Sequence, residues 1–256
     1  MFRFAVVGDA GDGTAAVAHA IARVHAAKPL DAIILPGDNI YPCGVRSAED
    51  PHWSVLAPLI ALHLSLYPVL GNHDYCGNPD AQLQAAFPEW HFPAREYVLH
   101  AGVADFAMID TTPYVRGRAR APDIAAMFAS SKAPWRIVVG HHTIVSSGFH
   151  GYLPRREHRR MMALLRPLRA AHVDLYVCGH DHDLELVDGH PRMLISGASS
   201  DPVPPVALHL RTLFPTSMEK QGGFAVVELT RDAMTVTFFD LDGRWLGGDF
   251  RIGRSE

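Results

Sequence analysis

Five short apolar runs each end at a glycine that is followed at once by side chains carrying oxygen or nitrogen donors. The five junctions read GDAG, GDNIY, GNHD, GHH and GHDH, and they begin at residues 8, 37, 71, 140 and 179. The runs before them are rich in Val and Ile and have the length of β-strands. Because this arrangement recurs five times, it is a stronger constraint than any single motif, and it predicts a site built from strand ends.

Strand-like and helix-like segments alternate along most of the chain. The clearest predicted strands are Phe2–Val7, Ala32–Leu35, Leu66–Leu70, Arg136–Val139 and Leu175–Cys178. Helical spacing predicts helices over Thr14–Ala27, Pro51–Leu64, Asp80–Phe87 and Arg156–His172. Such alternation favours parallel strands joined by helical crossovers, with ligands bound beyond the carboxyl ends of the strands.

Two further regions have the pattern of antiparallel pairs. Phe224–Leu229 and Thr235–Phe239 are joined by the short connection TRDAM, and Arg95–His100 and Asp105–Ile109 form a similar pair. The sequence therefore predicts an α/β fold with mixed sheets, in which two sheets pack face to face and helices lie outside. No repeat or linker divides the chain, so we predict a single domain over residues 1–256.

The composition limits the classes of partner. The net charge of −4 gives no general attraction to nucleic acid or to anionic lipid. The sequence contains no apolar run of the roughly 18 residues that a membrane span requires. We therefore expect a small phosphorylated substrate as the partner, with no nucleic acid and no membrane. The sequence does not indicate an oligomeric state.

The cysteines and the first residues bear on the compartment. Cys43, Cys76 and Cys178 lie far apart without CxxC spacing, so neither a disulfide framework nor a thiolate zinc site is expected. We interpret Cys43 and Cys76 as small loop residues. The first residues run directly into a strand without the features of a signal peptide. A cytoplasmic location is expected, although a mature secreted form would look the same.

The donor side chains after the five runs suit a pair of metal ions. Two cations roughly 3.5–4 Å apart need a bridging carboxylate and a mixed shell of carboxylate, amide and imidazole ligands. Asp38, in GDNIY, is the natural bridge. The other expected ligands are Asp9 and Asn72 through oxygen, and His141, His180 and His182 through nitrogen.

Tyr41, three residues after Asp38, indicates which metal is present. A phenolate is a hard anionic ligand, and its high pKa makes it a poor match for Zn²⁺ or Mg²⁺ at neutral pH. A trivalent cation can displace the phenolic proton. Tyr41 therefore points to Fe³⁺.

At these junctions the sequence resembles the calcineurin-like metallophosphoesterases. The tyrosine after the bridging aspartate makes it most similar to the small purple acid phosphatases, the tartrate-resistant acid phosphatase type. The similarity extends through GNPDAQ, SGAS and GGFAVVELTRDAMTVTF and so covers nearly the whole chain. The resemblance implies a four-layer α/β/β/α sandwich.

The resemblance also implies how the ligands divide between two sites. An Fe³⁺ site would take Asp9, Asp38, Tyr41 and His182. A second site would take Asp38, Asn72, His141 and His180, and would hold Fe²⁺, Zn²⁺ or Mn²⁺. Two histidines correspond to residues that meet the substrate rather than the metals. His73 would contact the phosphate and protonate the leaving group, and His150 would be the second outer histidine. Asp74 would either orient a histidine in the second shell or be a simple turn residue.

The implied reaction is the hydrolysis of phosphate monoesters by attack of a metal-bound hydroxide on phosphorus, with an acidic optimum. A phosphodiesterase or nucleotide pyrophosphatase on the same two-metal core is an alternative. In that case Arg116, Arg118 and Arg120 could meet a second phosphate, or they could form a solvated loop. A third alternative is a metal-binding scaffold that has lost catalysis.

Overall fold

Two β-sheets lie face to face at the centre of the molecule, which is known from a computed structural model describing residues 1–153, 155–209, 211–214 and 220–253. The strands are β1 (Phe2–Val6), β2 (Ala32–Leu35), β3 (Ser65–Pro68), β4 (Tyr97–His100), β5 (Ala104–Met108), β6 (Trp135–Val139), β7 (Leu175–Cys178), β8 (Leu184–Val187), β9 (Arg192–Ser196), β10 (Thr212–Phe214), β11 (Gly223–Leu229), β12 (Ala233–Asp240) and β13 (Trp245–Gly253). Within the described ranges, one sheet has the spatial order β13-β12-β11-β1-β2-β3. The other has the order β10-β8-β9-β7-β6-β5-β4.

Both sheets mix parallel and antiparallel pairing, as predicted. Strands β1, β2 and β3 are parallel neighbours, whereas β11 pairs antiparallel with both β1 and β12. In the other sheet β5, β6, β7 and β9 are parallel, and β4 and β8 join antiparallel. Parallel neighbours in a sheet end at the same edge of that sheet. The loops that follow these strands therefore lie close together.

The helices cover the outer faces of the sheets. They are α1 (Thr14–Ala27), α2 (Ala57–Ile60), α3 (Pro79–Leu83), α4 (Thr111–Val115), α5 (Ile124–Met127), α6 (Phe149–Tyr152), α7 (Arg156–Ala163) and α8 (Leu165–Ala170), with short 3₁₀ turns at Gly11–Gly13, Pro51–Leu56 and Asp74–Cys76. No helix in the described part of the chain is both long and apolar enough to cross a bilayer.

Side chains alternate along the strands and so build three apolar layers. On β1, Phe4 and Val6 point between the sheets, whereas Ala5 faces the layer beneath α1. The rings of Phe4 and Phe106 meet edge to face with centroids 5.2 Å apart, which joins the two sheets. A third cluster packs beneath α7 and α8. The predicted layered sandwich, with helices outside two sheets, is confirmed.

The elements differ from the prediction where proline interrupts helical spacing. The predicted helix over Pro51–Leu64 is a 3₁₀ turn followed by the single turn of α2. The predicted helix over Arg156–His172 divides at Leu164 into α7 and α8, close to Pro167. The helix expected over Asp80–Phe87 is the shorter α3.

Candidate metal centre

The seven predicted ligands come from loops that follow five strands and meet at one edge of the sandwich. Asp9, Asp38 and Asn72 follow β1, β2 and β3 of the six-stranded sheet, while the three histidines follow β6 and β7 of the other sheet. The site therefore lies where the carboxyl ends of parallel strands from both sheets converge.

One group of donor atoms surrounds the Tyr41 hydroxyl. Its oxygen lies 3.1 Å from Asp9 Oδ1 and 3.1 Å from Asp38 Oδ2. The same oxygen is 3.3 Å from His182 Nε2, which in turn is 3.5 Å from Asp9 Oδ1. These four residues are the set that the resemblance implied for the iron site.

A second group of donor atoms surrounds His141 Nε2. This nitrogen lies 3.3 Å from Asp38 Oδ2, 3.0 Å from Asn72 Oδ1 and 3.1 Å from His180 Nδ1. The two groups share one atom, Asp38 Oδ2. Two adjacent cations that share this carboxylate would fit the arrangement.

Backbone groups orient the ligands toward these clusters. His180 N donates to Asp9 Oδ2 at 2.9 Å and His73 N donates to Asp38 Oδ1 at 2.8 Å, so the other oxygen of each carboxylate faces the cluster. Two imidazoles are held in the same way. Nδ1 of His141 lies 3.0 Å from the carbonyl of Pro36, and Nδ1 of His182 lies 2.8 Å from the carbonyl of Asp201. Such contacts fix the ring orientation and leave Nε2 free to bind a metal.

The burial and charge of the donors fit cations. Asp9 and Asp38 are almost completely buried next to one another. Burial raises the pKa of Asp9 to about 6, against the lowering effect of His141. Burial also opposes ionisation of Asp38, yet the charge and hydrogen bond of His141 bring its pKa down to about 2. Burial of two charged carboxylates away from water destabilises the folded protein unless positive charge compensates them. Metal ions would supply that charge.

The pKa of the Tyr41 phenol and the pKa of the His180 imidazole are shifted in opposite directions. Burial and the two carboxylates raise the pKa of Tyr41. Burial and the neighbouring histidines hold the pKa of His180 well below its usual value, which favours the neutral ring that metals bind. The donor set therefore fits two metal ions.

Three of the predicted ligands have backbone conformations that are uncommon for residues other than glycine. Asp9, Asp38 and His180 have φ values of 54°, 52° and 66°. Strain of this kind tends to collect at functional sites, where surrounding structure maintains it. Gly71 belongs to the same arrangement, because a side chain there would collide with Asp38 Oδ1.

The structure places His73 and His150 on different sides of the centre. The His73 ring lies 4.5 Å from the Tyr41 ring, and its Nδ1 is 2.8 Å from the carbonyl of Pro42. The His150 ring lies 3.9 Å from the ring of His180. Burial lowers the pKa of His150, against the raising effect of Asp181. Both histidines border the metal ligands, and their roles stay predictions.

Asp74 does not orient a histidine among the residues that the structure describes. Its buried carboxylate accepts hydrogen bonds from Gly71 N at 2.8 Å, Asn39 N at 3.2 Å and Gln82 Nε2 at 2.8 Å. The second-shell interpretation is therefore corrected in favour of a structural one. Asp74 ties the loop after β3 to the loop after β2.

Cys43 and Cys76 are not independent loop residues, because they form a disulfide with Cα atoms 4.8 Å apart. The expectation that the chain has no disulfide was wrong. The two cysteines are separated by 33 positions and belong to no spacing motif, so their meeting depends on the fold that brings these loops together. Cys178 is free and buried.

Arg116 is the arginine of its loop that reaches the centre. Its Nη2 lies 3.5 Å from the backbone oxygen of Asn72, and its guanidinium lies 5.6 Å from the centre of the Tyr75 ring. Arg118 and Arg120 are exposed, and the described contacts do not connect them with the ligands. His142, the second histidine of GHH, is buried and lies 2.7 Å from Thr111 Oγ1, which makes it a core residue.

The structure has a cavity of about 360 Å³ beside His180 and His182, which was not predicted from the sequence. Its apolar wall includes Phe149, Val203 and Val206, which are 37%, 47% and 47% exposed. The apolar residues within the proline-rich loop are the sequence signal for this wall. Their position beside the predicted ligands depends on the tertiary fold and could not be predicted.

Comparison with known proteins agrees with this geometry. The family model of calcineurin-like phosphoesterases matches residues 2–184. Purple acid phosphatase 7 of Arabidopsis thaliana is 31% identical over 95% of this chain and 84% of its own length. Tartrate-resistant acid phosphatase type 5 of Sus scrofa is 28% identical over 96% of this chain and 85% of its own length.

Solved structures show the same fold. GAP50, described as the anchor in the inner membrane complex of Plasmodium, has a TM-score of 0.82 and 25% identity, covering 100% of this chain and 89% of its own. Purple acid phosphatase PPD1 of yellow lupin, Lupinus luteus, has a TM-score of 0.73 and 15% identity, covering 99% of this chain and 54% of its own.

Proposed function

Because the chain belongs to the calcineurin-like phosphoesterases, and is a metal-dependent phosphoric ester hydrolase of the purple acid phosphatase type, we propose that it hydrolyses phosphate monoesters at a dinuclear, iron-containing centre. One observation carries the proposal. Two groups of donor atoms share Asp38 Oδ2, and one of them includes the hydroxyl of Tyr41. This arrangement supports a trivalent iron beside a divalent ion better than two identical divalent ions.

The residues divide into two sets. Asp9, Asp38, Tyr41 and His182 would hold Fe³⁺, and Asp38, Asn72, His141 and His180 would hold Fe²⁺, Zn²⁺ or Mn²⁺. When bound, the cations would lower the pKa of water and offset charge on the phosphate oxygens.

His73 is the better placed of the two candidate proton donors. Its Nδ1 is held by the Pro42 carbonyl, and its Nε2 has no hydrogen bond to the described residues. It is therefore positioned to donate a proton to the oxygen of the leaving alcohol. His150, whose pKa is lowered by burial, would more readily orient the phosphate by hydrogen bonding.

The test compares two esters of the same chromophore. We expect the protein to show a higher kcat/KM for 4-nitrophenyl phosphate than for bis(4-nitrophenyl) phosphate. Asp38→Asn should abolish both activities, because the shared carboxylate would be lost from both groups. A clear preference for the diester would contradict the monoester proposal.

A phosphodiesterase or nucleotide pyrophosphatase is the second candidate. The position of Arg116 beside Asn72 favours it, because an exposed guanidinium next to a predicted ligand could contact a second phosphate. A diester or pyrophosphate preference that falls in Arg116→Ala would support this candidate.

A non-catalytic scaffold is the third candidate, and the likeness to the Plasmodium anchor protein favours it. The complete set of predicted ligands in this chain argues against a loss of catalysis. Protein that holds two metals but hydrolyses no phosphate ester would favour the scaffold.

A further inference from the structure

The cavity beside the metal centre has room for more than a phosphate group. It has a volume of about 360 Å³, and His180 and His182 form part of its wall. These histidines belong to different predicted metal sites, so the cavity opens beside both. The pocket on the other side of His150 measures only about 10 Å³, which is space for a single water molecule. A substrate whose phosphate lies on the metals can therefore extend into the larger cavity.

One wall of the cavity is apolar and is tied to the ligand loops. Val203 N donates to the carbonyl of His182 at 2.8 Å, and Val206 N donates to the carbonyl of Ser147 at 3.0 Å. The Phe149 ring is covered on one side by Arg155, whose guanidinium lies 3.9 Å from the ring centre. These contacts position three exposed apolar side chains against the metal centre. Exposed apolar residues that converge in this way indicate a binding surface.

The polar lining of the cavity consists of three histidines and three aspartates. Asp181, Asp183 and Asp201 border it, and no lysine or arginine is among the described residues that line it. The Asp181 carboxylate is already used, because it accepts from the backbone N of His150 and of Gly151. Asp183 Oδ1 is buried and has no hydrogen-bond partner in the described part of the chain. A second anionic group would meet no basic side chain in this described lining and would lie near the exposed carboxylate of Asp201, whereas an apolar group would contact the apolar wall.

We propose that this cavity binds the organic part of the substrate and selects monoesters of uncharged, apolar alcohols or phenols over esters that carry a second anionic group. The inference rests on the proposed function, because it assumes that the phosphate lies on the metals. The volume suits a group of the size of a phenyl ring. It places the organic group on the His180 and His182 side of the centre, away from Arg116, while the ester oxygen stays at the metal centre that His73 borders.

The test measures binding rather than turnover. Methylphosphonate, phenylphosphonate and phosphonoacetate present the same phosphonate to the metals but carry a small, an apolar and an anionic group. Their affinities for the metal-loaded protein are measured by isothermal titration calorimetry. Phenylphosphonate should bind about tenfold more tightly than methylphosphonate, because it buries an apolar ring. Phosphonoacetate should bind no more tightly than methylphosphonate.

Val206→Glu tests the wall, and Met162→Glu is the matched control. Both substitutions introduce a glutamate at an exposed apolar position, and Met162 is 39% exposed on α7, outside the lining of this cavity. Val206→Glu should reduce the preference for phenylphosphonate to about one while the affinity for methylphosphonate stays, which also shows that the variant is folded. Met162→Glu should keep the preference of the unmodified protein.

The outcomes separate this inference from the proposed function. Equal affinities for phenylphosphonate and methylphosphonate would overturn the inference, even if monoesters are hydrolysed. A preference unchanged by Val206→Glu would do the same. Tightest binding of phosphonoacetate would contradict the selection against a second anionic group. The expected preferences without any monoester hydrolysis would leave the cavity intact and overturn only the proposed function.

Discussion

The side chain that says most about this centre is Tyr41. Its hydroxyl lies within 3.1–3.3 Å of donor atoms from three other predicted ligands. Burial and the carboxylates of Asp9 and Asp38 raise its pKa, so the phenol keeps its proton until a strongly charged cation displaces it. The identity of the ligand thus carries information about the charge of the metal.

The sequence predicts donor side chains in the loops after five strands, and the structure brings these side chains together. The ring nitrogen by which each histidine faces the centre could not be predicted from the sequence. His141 presents Nε2 because its Nδ1 meets the Pro36 carbonyl, whereas His180 presents Nδ1 to the same group. These choices depend on backbone atoms that are distant in sequence. The role of Asp74 was missed for the same reason, since its partners include Asn39 on another loop.

His73→Ala tests the assignment of the proton donor. Because a poor leaving group needs protonation in the transition state, kcat for an alkyl phosphate should fall by at least about 100-fold. The fall for 4-nitrophenyl phosphate should be much smaller, since nitrophenolate leaves readily without a proton. Both values come from steady-state kinetics on the same preparation.

His52→Ala is the control for this substitution, because it removes an exposed histidine from the 3₁₀ turn at Pro51–Leu56. It should change neither rate. An equal loss on both substrates in His73→Ala would show that His73 positions the phosphate rather than protonating the leaving group.

At the scale of elements, the loops after β2 and β3 are connected twice. The Asp74 carboxylate accepts from the backbone of Asn39 and of Gly71, and the Cys43–Cys76 disulfide joins the same two loops further out. These loops carry Asp38, Tyr41 and Asn72. Their relative position is therefore fixed by a buried carboxylate as well as by a covalent bond.

Replacement of both cysteines by serine should lower stability without displacing the ligands. The disulfide closes a loop with a separation of 33 residues, for which the chain-entropy estimate is about 3–4 kcal/mol. Because Asp74 still connects the loops, the metal content should not change. Urea unfolding gives the free energy, and elemental analysis gives the metal content.

A count of free thiols tests directly whether Cys43 and Cys76 form a disulfide. Denatured, unreduced protein should show one reactive thiol, from Cys178, and three after reduction. Three thiols before reduction would contradict the disulfide. The cytoplasmic location stays a prediction, and a disulfide would be unusual there.

The sequence predicted the elements whose ends carry the site, and it also predicted α1 and the antiparallel pairs β4–β5 and β11–β12. The strands β1, β2, β6 and β7 were predicted nearly to the residue, because apolar runs stopped by glycine are local signals. The hairpin of β8 and β9 was missed, since Glu185 interrupts the apolar run of β8. That glutamate is buried against Ser147, a partner that the sequence does not reveal.

The whole molecule is needed to assemble the centre. Loops of the six-stranded sheet carry the predicted oxygen ligands, and loops of the seven-stranded sheet carry the three predicted imidazole ligands. The layered architecture could be inferred from strand and helix patterns together with the resemblance. The order of the strands and the apolar cavity could not be inferred from the sequence. They depend on how the two sheets pack against each other and on where the loop at 201–209 packs. That the chain is one domain stays a prediction.

The proposed centre holds a tyrosine-ligated iron within a pair of metals. Elemental analysis and a visible absorption spectrum of the purified protein test it together. We predict two metal ions per chain, at least one of them iron, with a tyrosinate-to-iron charge-transfer band. The band should disappear in Tyr41→Phe and persist in Tyr67→Phe, which removes a hydroxyl outside the centre. Two zinc or manganese ions without the band would contradict a tyrosine-ligated iron at this centre.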